Sequence, residues 1–102
     1  MEIEIIKSPS EGVLRILKSR SAQNEFFEDK PIDAVGLVQG KLAEMFVATD
    51  IAEKAADVKV VEIRGMCPQH FTMIAVLGDT SAVNEALANV ASQHTERRNK
   101  KW

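Results

Sequence analysis

Two apolar, β-branched runs, residues 58–63 (Val-Lys-Val-Val-Glu-Ile) and 71–77 (Phe-Thr-Met-Ile-Ala-Val-Leu), are separated only by Arg64-Gly65-Met66-Cys67-Pro68-Gln69-His70. A connection this short joins antiparallel neighbours, because a parallel crossover takes about a dozen residues or more. A hairpin is therefore expected, and its loop carries the only cysteine in the chain. One thiol cannot build a metal cluster within a single chain. In an isolated domain such a cysteine is ordinarily a small apolar filler. On a loop that meets its own copies at a symmetry axis, the same thiol becomes chemistry.

The remaining elements follow from periodicity and caps. Ile3 and Ile5 alternate with Glu2 and Glu4, the period of a half-buried strand. Ser8, Pro9 and Glu11 fit N-cap, N1 and N3 of a short helix burying Val13, Ile16 and Leu17. Residues 19–31 have no sustained period and read as a linker, with Phe26 and Phe27 needing cover. Residues 34–38 form a strand too continuously apolar to face water on either side. Between 41 and 56, Leu42, Met45, Phe46, Thr49, Ala52 and Ala56 share one helical stripe. Asp79, Thr80 and Ser81 supply cap chemistry for a last helix that buries Val83, Leu87, Val90 and Ala91. A basic tail, residues 97–102, closes the chain. The order β-α-linker-β-α-β-β-α predicts an α+β, ferredoxin-like antiparallel sheet with helices on one face.

Composition narrows the function. At 102 residues the chain is one small domain, and 45% hydrophobic content leaves apolar surface for a partner subunit. A net charge of −2 gives no general attraction to nucleic acid or to an anionic membrane. The acidic start Met1-Glu2-Ile3-Glu4 lacks the positive region of a signal peptide, and no apolar run approaches about 18 residues, so a soluble intracellular domain is expected. Paired carboxylates, a Ser/His/Asp constellation and a glycine-rich phosphate loop are all missing from the pattern, so an enzyme is not expected.

From residue 32 to 90 the chain resembles the shell-forming (BMC) domain of bacterial microcompartments. The likeness is carried by Ala34-x-Gly36-Leu37-Val38, by the helix Ala48-Thr49-Asp50-Ile51-Ala52-Glu53-Lys54-Ala55-Ala56-Asp57-Val58, and by Gly78-Asp79 followed by Ala82-Val83. In the usual member a strand and a short helix end the chain. Here such a pair comes first, at residues 2–18, which resembles the circularly permuted branch of the family. The resemblance implies a single permuted domain over 1–102, forming a flat cyclic hexamer that tiles with other shell proteins in a cytoplasmic microcompartment around enclosed enzymes. Lys54 stands at the position of the edge lysine, and Ser8 where many members carry a tiling arginine. Too few residues precede the first strand to form the pore-capping barrel of some permuted relatives.

The resemblance also places the loop 65–70 at the central pore, and Gly65-x-Cys67-Pro68 is similar to the pore loop of permuted shell proteins from glycyl-radical propanediol-type microcompartments. Those are associated with an iron–sulfur cluster. The implied site is Cys67 as metal ligand, with Gly65, Met66, Pro68 and Gln69 around it. Thiolates select iron–sulfur, zinc or copper(I) over hard cations. Three alternate Cys67 thiols of a six-fold ring match three irons of a [4Fe–4S] cubane, and electron transfer across the shell would follow. Two other readings stand beside this one: a metal-free hexamer with a metabolite pore, and a ferredoxin-like oligomeric regulator that binds a metabolite between subunits. His70 reads as the start of a strand rather than a second ligand, and His94 as a cation near a helix C-terminus. The tail reads as a solvating segment.

Overall fold

The computed structural model describes residues 1–21, 31–64 and 71–98. In chain order the elements are β1 (Glu2–Lys7), α1 (Glu11–Arg20), β2 (Ala34–Lys41), α2 (Leu42–Ala55), β3 (Lys59–Ile63), β4 (Phe71–Gly78) and α3 (Thr80–Arg98). The four strands form one sheet in the order β1-β2-β4-β3 with every neighbouring pair antiparallel. The expected α+β architecture and the hairpin both hold.

β2 and β4 pair over their whole length, from Ala34 opposite Gly78 to Lys41 opposite Phe71. Because side chains alternate along a strand, this central pair feeds two cores. Val38, Ile74 and Val76 meet Met45, Ala48, Ile51 and Ala52 of α2 and Val83, Ala86, Leu87 and Val90 of α3. Val35, Val61, Ile63, Ala75 and Leu77 point the other way and meet Leu17 of α1, with Val13 and Leu14 beside it. Helices on one face is thus correct for α2 and α3, while α1 covers the opposite face. The physical reason is that β2 and β4 are apolar on both faces, and a sheet buried on both sides needs a cover on each.

Two helices differ locally from expectation. Ser10, not Ser8, caps α1, its hydroxyl accepting the Val13 N–H at 3.3 Å. Ser8 has φ 49 and donates its N–H to the Asp33 carbonyl at 2.8 Å, which extends the β1–β2 ladder and delays the helix by two residues. Ile16 then faces water and Leu17 is the buried anchor. In α3, Asp79 caps as expected, its Oδ1 accepting the Ala82 N–H at 2.8 Å. Ala86 takes the buried place expected of Ala91, which is exposed. The linker begins later than residue 19, since α1 runs to Arg20 and Ser21 bridges to Ile63; residues 22–30, including Phe26 and Phe27, lie outside the described ones. Likewise Arg97 and Arg98 end α3 rather than begin a tail, and residues 99–102 lie outside.

At Gly36 the central strand lies directly against Leu87 of α3. A Cβ built there would sit 2.8 and 2.9 Å from the Leu87 methyls and 3.0 Å from its Cγ. Leu87 is itself packed in the core, so it cannot swing clear. Gly36→Ala is expected to destabilise the fold by about 1–3 kcal/mol through overpacking, read as a lowered urea midpoint at unchanged slope.

Candidate functional site

The β3–β4 hairpin is described up to the pair Ile63–Met73. The stretch expected to form the site, Gly65, Met66, Cys67, Pro68 and Gln69, together with His70, lies outside the described residues. What the structure shows is how its base is held. Arg64 donates its N–H to the Arg20 carbonyl at 2.8 Å, and Arg20 Nη1 reaches the Arg64 carbonyl at 3.5 Å. Ser21, almost fully buried, bridges to Ile63. The C-terminus of α1 is therefore stapled to β3 immediately before the connection. Among the described residues, no group of three His, Cys, Asp or Glu side chains converges as a metal site.

On the other face, the same end of the sheet carries the start of α2, because β2 ends at Lys41 opposite the beginning of β4. The expected apolar stripe of α2 is rotated: Met45, Ala48, Ile51 and Ala52 are buried, whereas Leu42 is 56% and Phe46 71% exposed. Both border a groove of about 420 Å³ between α2 and the hairpin, whose edges include Asp50, Glu53, Glu62 and Thr72. Sequence reasoning missed this surface. Its signal was present, since a helix apolar over more than one stripe has more to cover than one core contact.

On the opposite flank of α2 lies a cavity of about 240 Å³ against α3, lined by Met1, Ala43, Glu44, Val47, Ala48, Ile51, Val90, His94 and Arg97. Glu44 Oε1 accepts the Lys41 N–H at 2.9 Å, which is half of a capping box; the Lys41 ammonium is a donor and cannot return the bond. That backbone hydrogen bond, opposed by partial burial and aided by the chain's amino terminus, His94 and Lys41, holds the Glu44 carboxyl below its ordinary value. His94 Nδ1 stands 3.9 Å from Glu44 Oε2, an ion pair only when the imidazole is protonated. His94 thus lies in the C-terminal part of α3, as expected, with a carboxylate facing it. Lys54 is engaged within its own helix by Asp50 Oδ2 at 3.0 Å, and both groups are well exposed.

Comparison with known proteins gives this architecture a family. The BMC domain profile matches residues 34–100, about two thirds of the chain, and the protein belongs to the BMC domain family. Its structure is similar to that of the GrpU microcompartment shell protein from Clostridiales bacterium 1_7_47FAA, at 39% identity and a TM-score of 0.71 over 95% of each chain. The GrpU shell protein from Pectobacterium wasabiae is 32% identical, with a TM-score of 0.72 over 88% of this chain and 99% of that one. At 16% identity, the fused permuted hexameric shell protein MSM0275 of the RMM microcompartment shares the fold over 92% of this chain and 45% of its own length, with a TM-score of 0.69. No curated protein matches the sequence significantly. The chain is a structural shell component of a bacterial microcompartment, not an enzyme. No helix among the described residues is long and apolar enough to cross a membrane.

The Glu44 carboxylate yields a pH prediction. A group whose folded value is depressed contributes stability above its ordinary value and loses it as pH falls through the folded one. Wild type should therefore be more stable than Glu44→Gln at neutral pH, with the gap closing as pH drops below 4.5. Urea midpoints of the two proteins across that window measure it. An unchanging gap would mean that the carboxylate charge is not what matters.

Proposed function

We propose that this chain is a circularly permuted shell tile that assembles as a cyclic hexamer, with the 65–70 connection at the axis and Cys67 of alternate copies holding a [4Fe–4S] cluster. The observation that carries the permutation is where the family match begins. It starts at residue 34, at β2, while β1 and α1 come earlier in the chain and complete the sheet edge and the second face. The likeness in fold to a protein described as permuted and hexameric supports the same reading.

The donor set favours the cluster. The last described pair, Ile63–Met73, centres the connection in sequence on Pro68, one residue after the sole cysteine. Cyclic symmetry multiplies that thiol, and soft thiolates suit iron–sulfur better than oxygen-loving cations. When bound, the cluster would supply one-electron transfer across the shell wall. The chain's part is to hold the thiols: β3 and β4 pair up to Ile63–Met73, and Arg20 and Ser21 pin the β3 side. In the finer detail of tiling, Lys54 is the residue assigned to contacts with neighbouring shell proteins, where it would exchange its Asp50 partner for a group across the edge.

Anaerobic purification, native mass measurement and iron and sulfide analysis of the sized oligomer test the proposal. The wild type should run as a six-chain species carrying both elements, and Cys67→Ser should keep the oligomer while losing both. An anaerobic ring without iron or sulfide would leave the metal-free metabolite pore as the function.

A further inference from the structure

Leu42 and Phe46 lie one turn apart on α2 and are the two most exposed large hydrophobic side chains among the described residues. Adjacent apolar side chains in water at helical spacing mark a contact surface. Glu53 and Glu62 stand exposed in the same groove, and Asp50 there is engaged by Lys54. At 100° per residue, Phe46 faces the β3 side of α2 while Ala43 and Val47 face α3 and line the 240 Å³ cavity. The cavity's walls are apolar at Ala48, Ile51 and Val90, and Arg97 brings a guanidinium to its rim beside the His94 imidazole. Its one carboxylate, Glu44, is held inside this copy, Oε1 accepting the Lys41 N–H and Oε2 lying 3.9 Å from His94 Nδ1.

The two flanks of α2 are therefore complementary. One offers an aromatic knob beside carboxylates, the other an apolar hole beside the Arg97 guanidinium. A cavity of about 150 Å³ accepts a benzene ring, so this one has room for a phenylalanine side chain. Surfaces that differ but fit each other make head-to-tail contacts, which close into a ring when the rotation between copies permits. Both surfaces also lie in or beside the first two turns of α2, at the sheet end where β3 finishes and β4 begins. If that end faces an axis, neighbouring wedges are closest there.

We propose that Phe46 of each copy enters the α2–α3 cavity of the next, with Arg97 of the receiving copy meeting Glu53 and Glu62 of the donor. This rests on the cyclic assembly above and names the surfaces that build it. Buried aromatic anchors of this kind dominate protein interfaces.

The test uses two substitutions at exposed positions, Phe46→Ala to remove the knob and Ala43→Trp to fill the hole. Each should abolish the six-chain species and leave the 11.3 kDa chain, with an unchanged far-ultraviolet circular dichroism spectrum. An equimolar mixture of the two should then form a two-chain complex, since one retains the knob and the other the hole. A ring that survives either substitution, or a mixture that stays monomeric, overturns the proposal while the cyclic assembly stands. A wild type that is itself monomeric overturns the cyclic assembly, and this proposal with it.

Discussion

β2 is held by hydrogen-bonded neighbours along both edges and, over its first five residues, by side chains against both faces, so the residues there have almost no freedom of size. Ala34, Val35 and Val38 are wholly buried, and Gly36 leaves only the room that Leu87 fills. Interiors packed this closely transmit the position of one element to the next. The pairing with β4 fixes where the hairpin begins, and the hairpin fixes where the cysteine-bearing connection leaves the sheet. α2 and α3 are positioned by one face of that pair and α1 by the other.

This division gives the faces different work. Beneath the sheet, α1 contributes a short stripe and a staple: Leu17 in the core, Arg20 and Ser21 against Arg64 and Ile63. Above it, α2 is buried along one line and open along two flanks, one carrying Phe46 and the other bordering the cavity. A structural protein that works by assembly needs such surfaces more than it needs a cleft with converging acids and bases.

Much of the fold was legible because its signals are local. Alternation marked β1, continuous apolar character marked β2, the short connection demanded the β3–β4 hairpin, and Asp79 announced α3. Where reading failed, tertiary contacts chose between locally equivalent options. Ser8 and Ser10 are both competent caps, and the Ser8–Asp33 bond decided for Ser10. Leu42 and Phe46 have the hydropathy of core residues, and the packing of Met45, Ala48, Ile51 and Ala52 into the core leaves them facing outward. Which face α1 covers likewise depended on β2 and β4 being apolar on both sides. The candidate site differs in kind. In the proposed ring Cys67 would act only together with copies of itself, and a pattern that depends on symmetry has no spacing within one chain to betray it.

The outermost strands have one more consequence. β1 exposes Glu2, Glu4 and Lys7, and β3 is five residues long with Lys59 and Glu62 exposed. Charges and brevity at a sheet border discourage another strand from adding to it. Two copies brought side by side would thus resist fusing into one continuous ladder of backbone bonds, the route to fibres. Growth of the wall is left to side chains, which can be matched, exchanged between different subunits and undone.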